Sequence, residues 1–166
     1  MGVTGVQTCA LPILRRMGAR IDEFPSPEDG SGEPIGDLRV RSARLRGVEM
    51  SPTDVALAID EVPVLSLAAA MATGATSIRG AGELRAKESD RIAGVAAGLT
   101  ALGLSVAVVG DDLHFQGGGV PKAGAVAALG DHRLAMTFAI AGLVSGVEVS
   151  VDEPGAAAVS YPSFYD

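Results

Sequence analysis

The sequence predicts an α+β fold in which Ala-rich helices pack on mixed sheets. Apolar residues make up 48% of the 166 residues and aromatic residues only 4%, so the core must be built from aliphatic side chains. The 22 glycines indicate many short turns between short elements. Strand-like alternation of apolar and polar residues recurs between segments of helical spacing, and the chain is long enough to enclose a core of its own.

The first half of the chain contains three predicted strands and several helical segments. Gly18 is placed to cap the end of a helix, and Ser51 followed by Pro52 is a typical helix start. An apolar run that stops at Gly74 indicates a buried helix. The predicted elements are a helix end at 14–18, strands at 19–24, 37–41 and 45–50, a loop at 25–34, a helical turn from 51 and a long helix over 62–73.

The second half of the chain also contains predicted strands and helices. Ile92, Val95, Leu99 and Leu102 fall on one face of a helix, and Gly110 followed by two aspartates is a strong hairpin signal. The predicted elements are strands at 76–79, 105–109, 113–116 and 148–151, helices over 88–102 and 133–144, and the start of a further helix at Tyr161.

A weak internal repeat relates the two halves. The helix that stops at Gly74 and the helix that stops at Gly146 are each followed by a strand, at positions 72 residues apart. At that offset Asp60 aligns with His132, so polar groups recur at equivalent helix starts. The alternative is that any two Ala-rich helix–strand units look alike.

Composition and charge exclude several functions. The net charge of −7 argues against nucleic-acid binding. The apolar stretches 62–78 and 134–151 are short and interrupted by polar residues, which indicates core elements rather than membrane spans. No basic region and apolar run follow the start of the chain, so a cytoplasmic location is expected. Cys9 is the single cysteine, and with only His114 and His132 beside it no disulfide or metal site is predicted.

The first residues of the chain resemble a sequencing artefact. Val3–Ile13 resembles the translation of a common short-read sequencing adapter. The alternative is a genuine leader rich in Gly and Thr. We predict that residues 1–13 are not native, that Cys9 has no function, and that the native protein continues upstream of Leu14.

Three polar clusters stand out from the apolar background, at Ile59–Pro63, Leu84–Arg91 and Asp131–Arg133. Each lies at the start of a predicted helix, where free N–H groups and the helix dipole favour anions. Lys and Arg at such positions indicate a phosphate or carboxylate site. Carboxylates beside a bound anion are suited to proton transfer.

The second cluster predicts the most specific site. Lys87 and Arg91 share a helix face if the helix begins early enough, and an anion held by both would bring its neighbouring carbon near Glu88. The alternative is a solvated, charged helix start. Taken singly, Asp60 and His132 are more typical of helix caps than of catalysts.

Residues 82–92, which read GELRAKESDRI, closely resemble the signature of the 5-enolpyruvylshikimate-3-phosphate synthases. The runs IDEVP at 59–63, DHRLAM at 131–136, DLRVR at 37–41 and SYPSF at 160–164 are similar to further motifs of that family's C-terminal lobe, in the same order. The resemblance covers residues 14–166. It implies an incomplete enolpyruvyl transferase-like lobe built from repeated βαβαββ units, about two of which would be present.

The resemblance also implies a reaction. The family transfers the enolpyruvyl group of phosphoenolpyruvate to the 5-hydroxyl of shikimate 3-phosphate and releases phosphate, a step of chorismate and aromatic amino acid biosynthesis. The reaction passes through a tetrahedral intermediate and needs no organic cofactor. By this analogy Asp60 is the base for the 5-hydroxyl proton, and Glu88 moves the proton at the methylene carbon of phosphoenolpyruvate.

The same analogy assigns the cationic residues to substrate binding. Arg91 and Arg133 would hold phosphoenolpyruvate through bidentate contacts, Lys87 would bind substrate and intermediate, and His132 would support the reacting centre. The chain departs from the family at Val159, where many members carry a Lys. A Cys that is common near position 156 in the family is also absent.

The expected partners are phosphoenolpyruvate, shikimate 3-phosphate and the missing N-terminal lobe of the same chain, with no nucleic acid and no membrane. We expect the fragment alone to be inactive and the full-length protein to be a monomer. Two alternatives are a UDP-N-acetylglucosamine enolpyruvyl transferase, which shares the fold but not the Lys-Glu-Ser-Asp-Arg run, and a non-catalytic anion-binding module. Asp60 and Glu88 together argue against the module, because binding an anion does not need two carboxylates.

Overall fold

A computed structural model of the chain describes residues 9–25 and 36–166. The described part contains five α-helices, eight strands and three 3-10 turns that cover Ile59–Glu61, Gly82–Ala86 and Pro154–Val159. In chain order the helices and strands are α1 (Leu11–Arg16), β1 (Arg20–Pro25), β2 (Gly36–Arg41), β3 (Glu49–Met50), α2 (Pro52–Leu57), α3 (Val62–Met71), β4 (Thr76–Ile78), α4 (Arg91–Ala101), β5 (Val106–Val109), β6 (Asp112–Phe115), β7 (Gly124–Val126), α5 (His132–Ser145) and β8 (Val149–Val151).

The middle of the chain forms one complete βαβαββ unit. Its four strands lie in one mixed sheet in the order β3-β4-β6-β5. β3 and β4 are parallel and are joined by α2 and α3, whereas β4–β6 and β5–β6 are antiparallel pairs. The predicted hairpin turns at Gly110, whose φ of 60° suits glycine.

Parts of two further units flank the complete one. α1, β1 and β2 repeat the order of α4, β5 and β6, with the two strands again antiparallel. β7, α5 and β8 repeat β3, α3 and β4, with the two strands again parallel. The 72-residue offset seen in the sequence therefore relates equivalent elements of successive units. The described residues hold one whole unit and two partial ones of three elements each.

The α3, α4 and α5 helices pack against one another and against the sheet. Ile92, Leu99, Leu134 and Phe138 are at most 1% exposed and form the centre of this contact. Gly98 lets α4 approach α5 closely, since a Cβ at that position would overlap the ring of Phe138. Small residues thus allow helices to meet at short distance in a core with few aromatics.

Local signals explain where two elements begin. Ser51 and Asp54 form a capping box at the start of α2, with Ser51 Oγ accepting from the Asp54 N–H at 3.2 Å and Asp54 accepting from the Ser51 N–H at 2.8 Å. Arg16 contacts the Asp54 carboxylate at 3.0 Å and ties α1 to α2. Gly18 follows α1 with a φ of 96°, as predicted for a helix end.

The start of α4 differs from the prediction. The helix begins at Arg91, not at Glu88, because Asp90 is its N-cap and accepts from the Ala93 N–H at 3.0 Å. Lys87 is extended, with φ −84° and ψ −160°. Lys87 and Arg91 therefore do not share a helix face, and another arrangement must bring them together.

Two other predictions were wrong in part, and one strand was not predicted. The third strand is reduced to Glu49–Met50 plus an isolated bridge from Arg46 to Thr73. Residues 162–165 form turns instead of a helix. The strand β7 was not predicted, because Gly124 and Ala125 give it little strand character. The loop predicted over 25–34 lies, apart from Pro25, outside the described residues.

The end of the chain carries a small aromatic cluster. Phe164 makes edge-to-face contacts with Tyr161 and Tyr165, with ring centroids 6.0 and 4.9 Å apart. Ala157, in the preceding 3-10 turn, is buried against α5. Within 9–25 and 36–166, none of the helices is long and apolar enough to cross a membrane.

Candidate active site

The three polar motifs of the sequence converge on the side chain of Arg91, which is 1% exposed. Its Nε lies 2.8 Å from Asp131 Oδ2, its Nη1 lies 3.1 Å from Asp60 Oδ1, and its Nη2 contacts Glu88 Oε2 at 2.5 Å. Each carboxylate comes from a different motif or helix start. We call this group, with the side chains that adjoin it, the Arg91 cluster; its members are Asp60, Lys87, Glu88, Arg91, Asp131, His132 and Arg133.

Asp131 is the carboxylate of the cluster that is held by the most hydrogen bonds. It is the N-cap of α5, where Oδ1 accepts from the N–H of Arg133 at 2.9 Å and of Leu134 at 3.4 Å. Its Oδ2 accepts from Arg91 and from Ser89 Oγ at 3.0 Å. The side chain is fully buried, and one carboxylate thereby joins the start of α5 to the start of α4.

In the Arg91–Asp131 pair, ion pairing and hydrogen bonding affect the two pKa values more strongly than burial does. Burial opposes ionisation of Asp131, but hydrogen bonds from Arg91 and the Arg133 backbone hold its pKa below the ordinary value. Burial likewise opposes the charge on Arg91, and the hydrogen bond and charge of Asp131, with smaller contributions from Glu88 and Asp60, raise the pKa of Arg91. Both groups are therefore charged at neutral pH.

Asp60 connects the first motif to the other two. It lies in the 3-10 turn that precedes α3, and its side chain is 41% exposed. Besides Arg91, its carboxylate lies 3.4 Å from Arg133 Nη2 and 3.9 Å from Lys87 Nζ. Arg133 Nη1 also donates to the Asp60 backbone carbonyl at 2.9 Å. Residues from the equivalent helix starts of two successive units thus meet at one site.

Glu88 is the most exposed member of the Arg91 cluster, and Lys87 and His132 lie beside it. The Glu88 side chain is 50% exposed, and its Oε1 lies 4.0 Å from His132 Nδ1. Lys87 Nζ lies 3.4 Å from Glu83, an exposed residue outside the cluster. Solvent and small ligands can therefore reach Glu88, whereas Asp131 is sealed off.

The loop that carries Lys87 and Glu88 is tied to the β5–β6 hairpin. Arg85 donates through Nε to Asp111 at 2.9 Å, through Nη1 to Asp90 at 3.0 Å and through Nη2 to the Gly110 carbonyl at 2.7 Å. Hydrogen bonds to Asp111 and Asp90 raise the pKa of Arg85. These contacts position the loop before any ligand binds.

The cluster brings together all six side chains that the sequence singled out, namely Asp60, Lys87, Glu88, Arg91, His132 and Arg133. No role was predicted for Asp131 or Ser89. An Asp directly before an apolar helix is a recognisable N-cap signal. Its pairing with an Arg 40 positions away follows only from the packing of α5 against α4.

The arrangement combines anion-binding and proton-transfer groups. Asp60, Glu88 and Asp131 carry three negative charges, and Lys87, Arg91 and Arg133 carry three positive charges. Two of the carboxylates are partly exposed and lie beside cations, as general acids and bases that act on a bound anion must. The neighbouring Glu61 has a raised pKa, chiefly because of burial and also because of Asp60, with Arg133 opposing the shift.

The family model of EPSP synthase (3-phosphoshikimate 1-carboxyvinyltransferase) matches residues 2–166. The chain belongs to the EPSP synthase family. Among curated relatives, the 3-phosphoshikimate 1-carboxyvinyltransferase of Roseiflexus sp. (strain RS-1) is 50% identical over 159 residues, which are 96% of this chain and 36% of the relative. A protein of that name from Thermus thermophilus is 47% identical over 165 residues, which are 99% of this chain and 38% of the relative.

Solved structures confirm the predicted enolpyruvyl transferase-like fold. An EPSP synthase from Acinetobacter baumannii is similar with a TM-score of 0.87 and 35% identity, over 99% of this chain and 38% of that one. The enolpyruvyl transferase NikO from Streptomyces tendae is similar with a TM-score of 0.67 and 26% identity, over 95% of this chain and 33% of that one. The chain thus spans little more than a third of the length of its EPSP synthase relatives.

Proposed function

We propose that the whole protein transfers the enolpyruvyl group of phosphoenolpyruvate to the 5-hydroxyl of shikimate 3-phosphate and releases phosphate. The observation that carries the proposal is the convergence of three separate motifs on Arg91, within a chain that belongs to the EPSP synthase family. The curated relatives named above bear the name of that activity.

The two open carboxylates of the cluster are proposed to move the protons. Glu88, once it has taken up a proton from solvent, would add that proton to the methylene carbon of phosphoenolpyruvate, and Asp60 would take the proton of the attacking 5-hydroxyl. A bond then forms between that oxygen and the second carbon, which gives the tetrahedral intermediate. Loss of phosphate and return of the methyl proton to Glu88 would restore the double bond.

The cations of the cluster are proposed to hold the anions. Arg91 and Arg133 have the planar guanidinium that suits a carboxylate or phosphate, and Lys87 adds a third positive charge. His132 lies within 4.0 Å of Glu88 and would steady that carboxylate. Asp131 would act as a positioning residue through its contact with Arg91.

We further propose that this chain alone is inactive. The cluster has as many negative as positive charges, so it has no excess positive charge for two phosphorylated substrates. Additional Lys and Arg must come from the remaining part of the protein, an N-terminal lobe that would close on the substrates. Closure would also exclude water and complete the site.

The test is a chimera, here called the completed protein. Residues 14–166 replace the matching segment of the Roseiflexus relative, and phosphate release is measured with phosphoenolpyruvate and shikimate 3-phosphate. We expect turnover that falls by about 10²–10⁴ after Glu88→Gln. No release by a folded chimera, or full activity of Glu88→Gln, would reject the assignment.

The same assay separates the two alternatives. A transferase that acts on a UDP-sugar would turn over UDP-N-acetylglucosamine and ignore shikimate 3-phosphate. A binding module would take up phosphoenolpyruvate without releasing phosphate. The names of the curated relatives favour neither.

Three sequence-based predictions concern the protein beyond the cluster. We propose that residues 1–13 are not native, that the full-length protein is a monomer, and that it is cytoplasmic. Leu11 and Ile13 are 7% and 2% exposed, so we expect the native residues at these positions to be apolar as well. A long read of the source DNA across codon 13 tests the first prediction, and gel filtration of the full-length protein tests the second.

A further inference from the structure

The outer edge of the Arg91 guanidinium is filled by carboxylates of the chain itself. Nη1 and Nη2 contact Asp60 and Glu88, while Nε faces the buried Asp131. A guanidinium binds a carboxylate or phosphate best through two parallel N–H groups. The two nitrogens that would present such a pair to a ligand are those that already have partners.

The three carboxylates are held with different strength. Asp131 is fully buried and accepts four hydrogen bonds. Glu88 and Asp60 have half or nearly half of their side chains exposed. An exposed carboxylate can exchange a protein partner for water at small cost, but the buried Arg91 needs a counter-charge. Glu88 and Asp60 can therefore leave Arg91 when an arriving anion takes their place, whereas Asp131 cannot.

We propose that Asp60 and Glu88 are internal occupants of the anion site on Arg91, and that a substrate carboxylate of the phosphoenolpyruvate type binds by displacing them. Asp131 keeps the guanidinium in place during the exchange. The identity of the anion rests on the proposed function. In consequence, the two groups proposed to move protons are released from their cation only when the site is loaded.

The test is a titration of the 166-residue chain with phosphoenolpyruvate, followed by NMR so that weak binding is measurable. In Glu88→Gln, a neutral amide replaces the charged occupant, so binding should tighten about five- to tenfold relative to the unsubstituted chain. Asp60→Asn should tighten binding in the same direction. Its effect should be smaller, because Asp60 also orients Arg133 and Lys87.

Glu83→Gln is the matched control. It removes one charge from a residue that pairs with Lys87 and makes no contact with Arg91, and it should change the affinity less than about twofold. Equal tightening in Glu83→Gln and Glu88→Gln would show simple charge repulsion and overturn the exchange. A Glu88→Gln chain that binds no anion, or binds it more weakly, would also overturn it.

The outcome is independent of turnover. If the completed protein releases no phosphate while Glu88→Gln binds more tightly than Glu83→Gln, the proposed function fails and the exchange stands. If the completed protein is active but the two variants bind alike, the exchange fails and the proposed function stands.

Discussion

Arg91 and Asp131 are 40 positions apart in the chain and form a buried ion pair, with Arg91 Nε 2.8 Å from Asp131 Oδ2. Their side chains are 1% and 0% exposed. The pair joins the first residue of α4 to the N-cap of α5. One contact therefore fixes the relation of two helices and the direction in which Arg91 faces Asp60 and Glu88.

Asp131→Asn should lower the free energy of unfolding by about 3–5 kcal/mol, because it leaves the charge of Arg91 buried without its fixed partner. Urea unfolding of the 166-residue chain measures the effect. Asp111→Asn is the control, since it breaks an exposed pair with Arg85 and should cost about 1 kcal/mol or less. Equal losses in the two variants would contradict the central role of the buried pair.

The contribution of Asp131 should depend on pH in a defined direction. Because its pKa is lowered on folding, the folded chain binds this proton less readily than the unfolded chain. The stabilisation is present above the ordinary pKa of about 3.9 and is lost as the pH falls through the lower folded-state value. The difference in unfolding free energy between the unsubstituted chain and Asp131→Asn should therefore be constant near neutral pH and shrink in acid. A difference that grows on acidification would reject this explanation.

Gly98→Ala should destabilise the chain by about 1–3 kcal/mol, although alanine is the better helix former. The new Cβ would overlap the ring of Phe138 and push α4 away from α5. Phe138→Leu in the same chain should relieve part of the loss, so that the double variant is more stable than the sum of the single effects predicts. Gly155→Ala is the control for thermal unfolding, because among the described residues, its chain neighbours aside, none has an atom within 4 Å of the added Cβ.

Arg133→Lys should lower kcat/KM for phosphoenolpyruvate in the completed protein about tenfold or more. Arg133 contacts both the backbone carbonyl and the carboxylate of Asp60. The single ammonium group of a lysine cannot reproduce this pair of guanidinium contacts. Arg79→Lys, which alters an exposed pair with Glu49, should leave the rate within about twofold. A normal rate in Arg133→Lys would mean that charge alone is sufficient at this position.

Much of the fold could be predicted because local signals agree with the global structure. The capping box at Ser51, the hairpin turn at Gly110 and the apolar periodicity of α4 each specify an element without long-range contacts. β7 was missed because its identity comes from pairing with β8, 25 residues later in register. The early start predicted for α4 had a local cause, since the charged residues at 87–90 fit a helix pattern although Asp90 is the N-cap.

The members of the site could be predicted more readily than their geometry. Cations and carboxylates at helix starts identify an anion site, and the resemblance supplied roles for six of them. Sequence spacing placed Lys87 and Arg91 on one helix face, whereas in the structure both reach Asp60 from different backbone segments. The burial of Arg91 by three carboxylates depends on contacts between residues 31 and 40 positions apart, which no local pattern encodes.

The aromatic cluster at the end of the chain determines what optical spectroscopy can report. The sequence has no Trp, and its two tyrosines are Tyr161 and Tyr165, both in contact with Phe164. Intrinsic emission and most near-ultraviolet dichroism would therefore follow the detachment of the last few residues, not the melting of α3, α4 and α5. A Trp introduced at Phe138 would disturb the core, so far-ultraviolet dichroism or amide exchange is the appropriate global probe for the unfolding experiments.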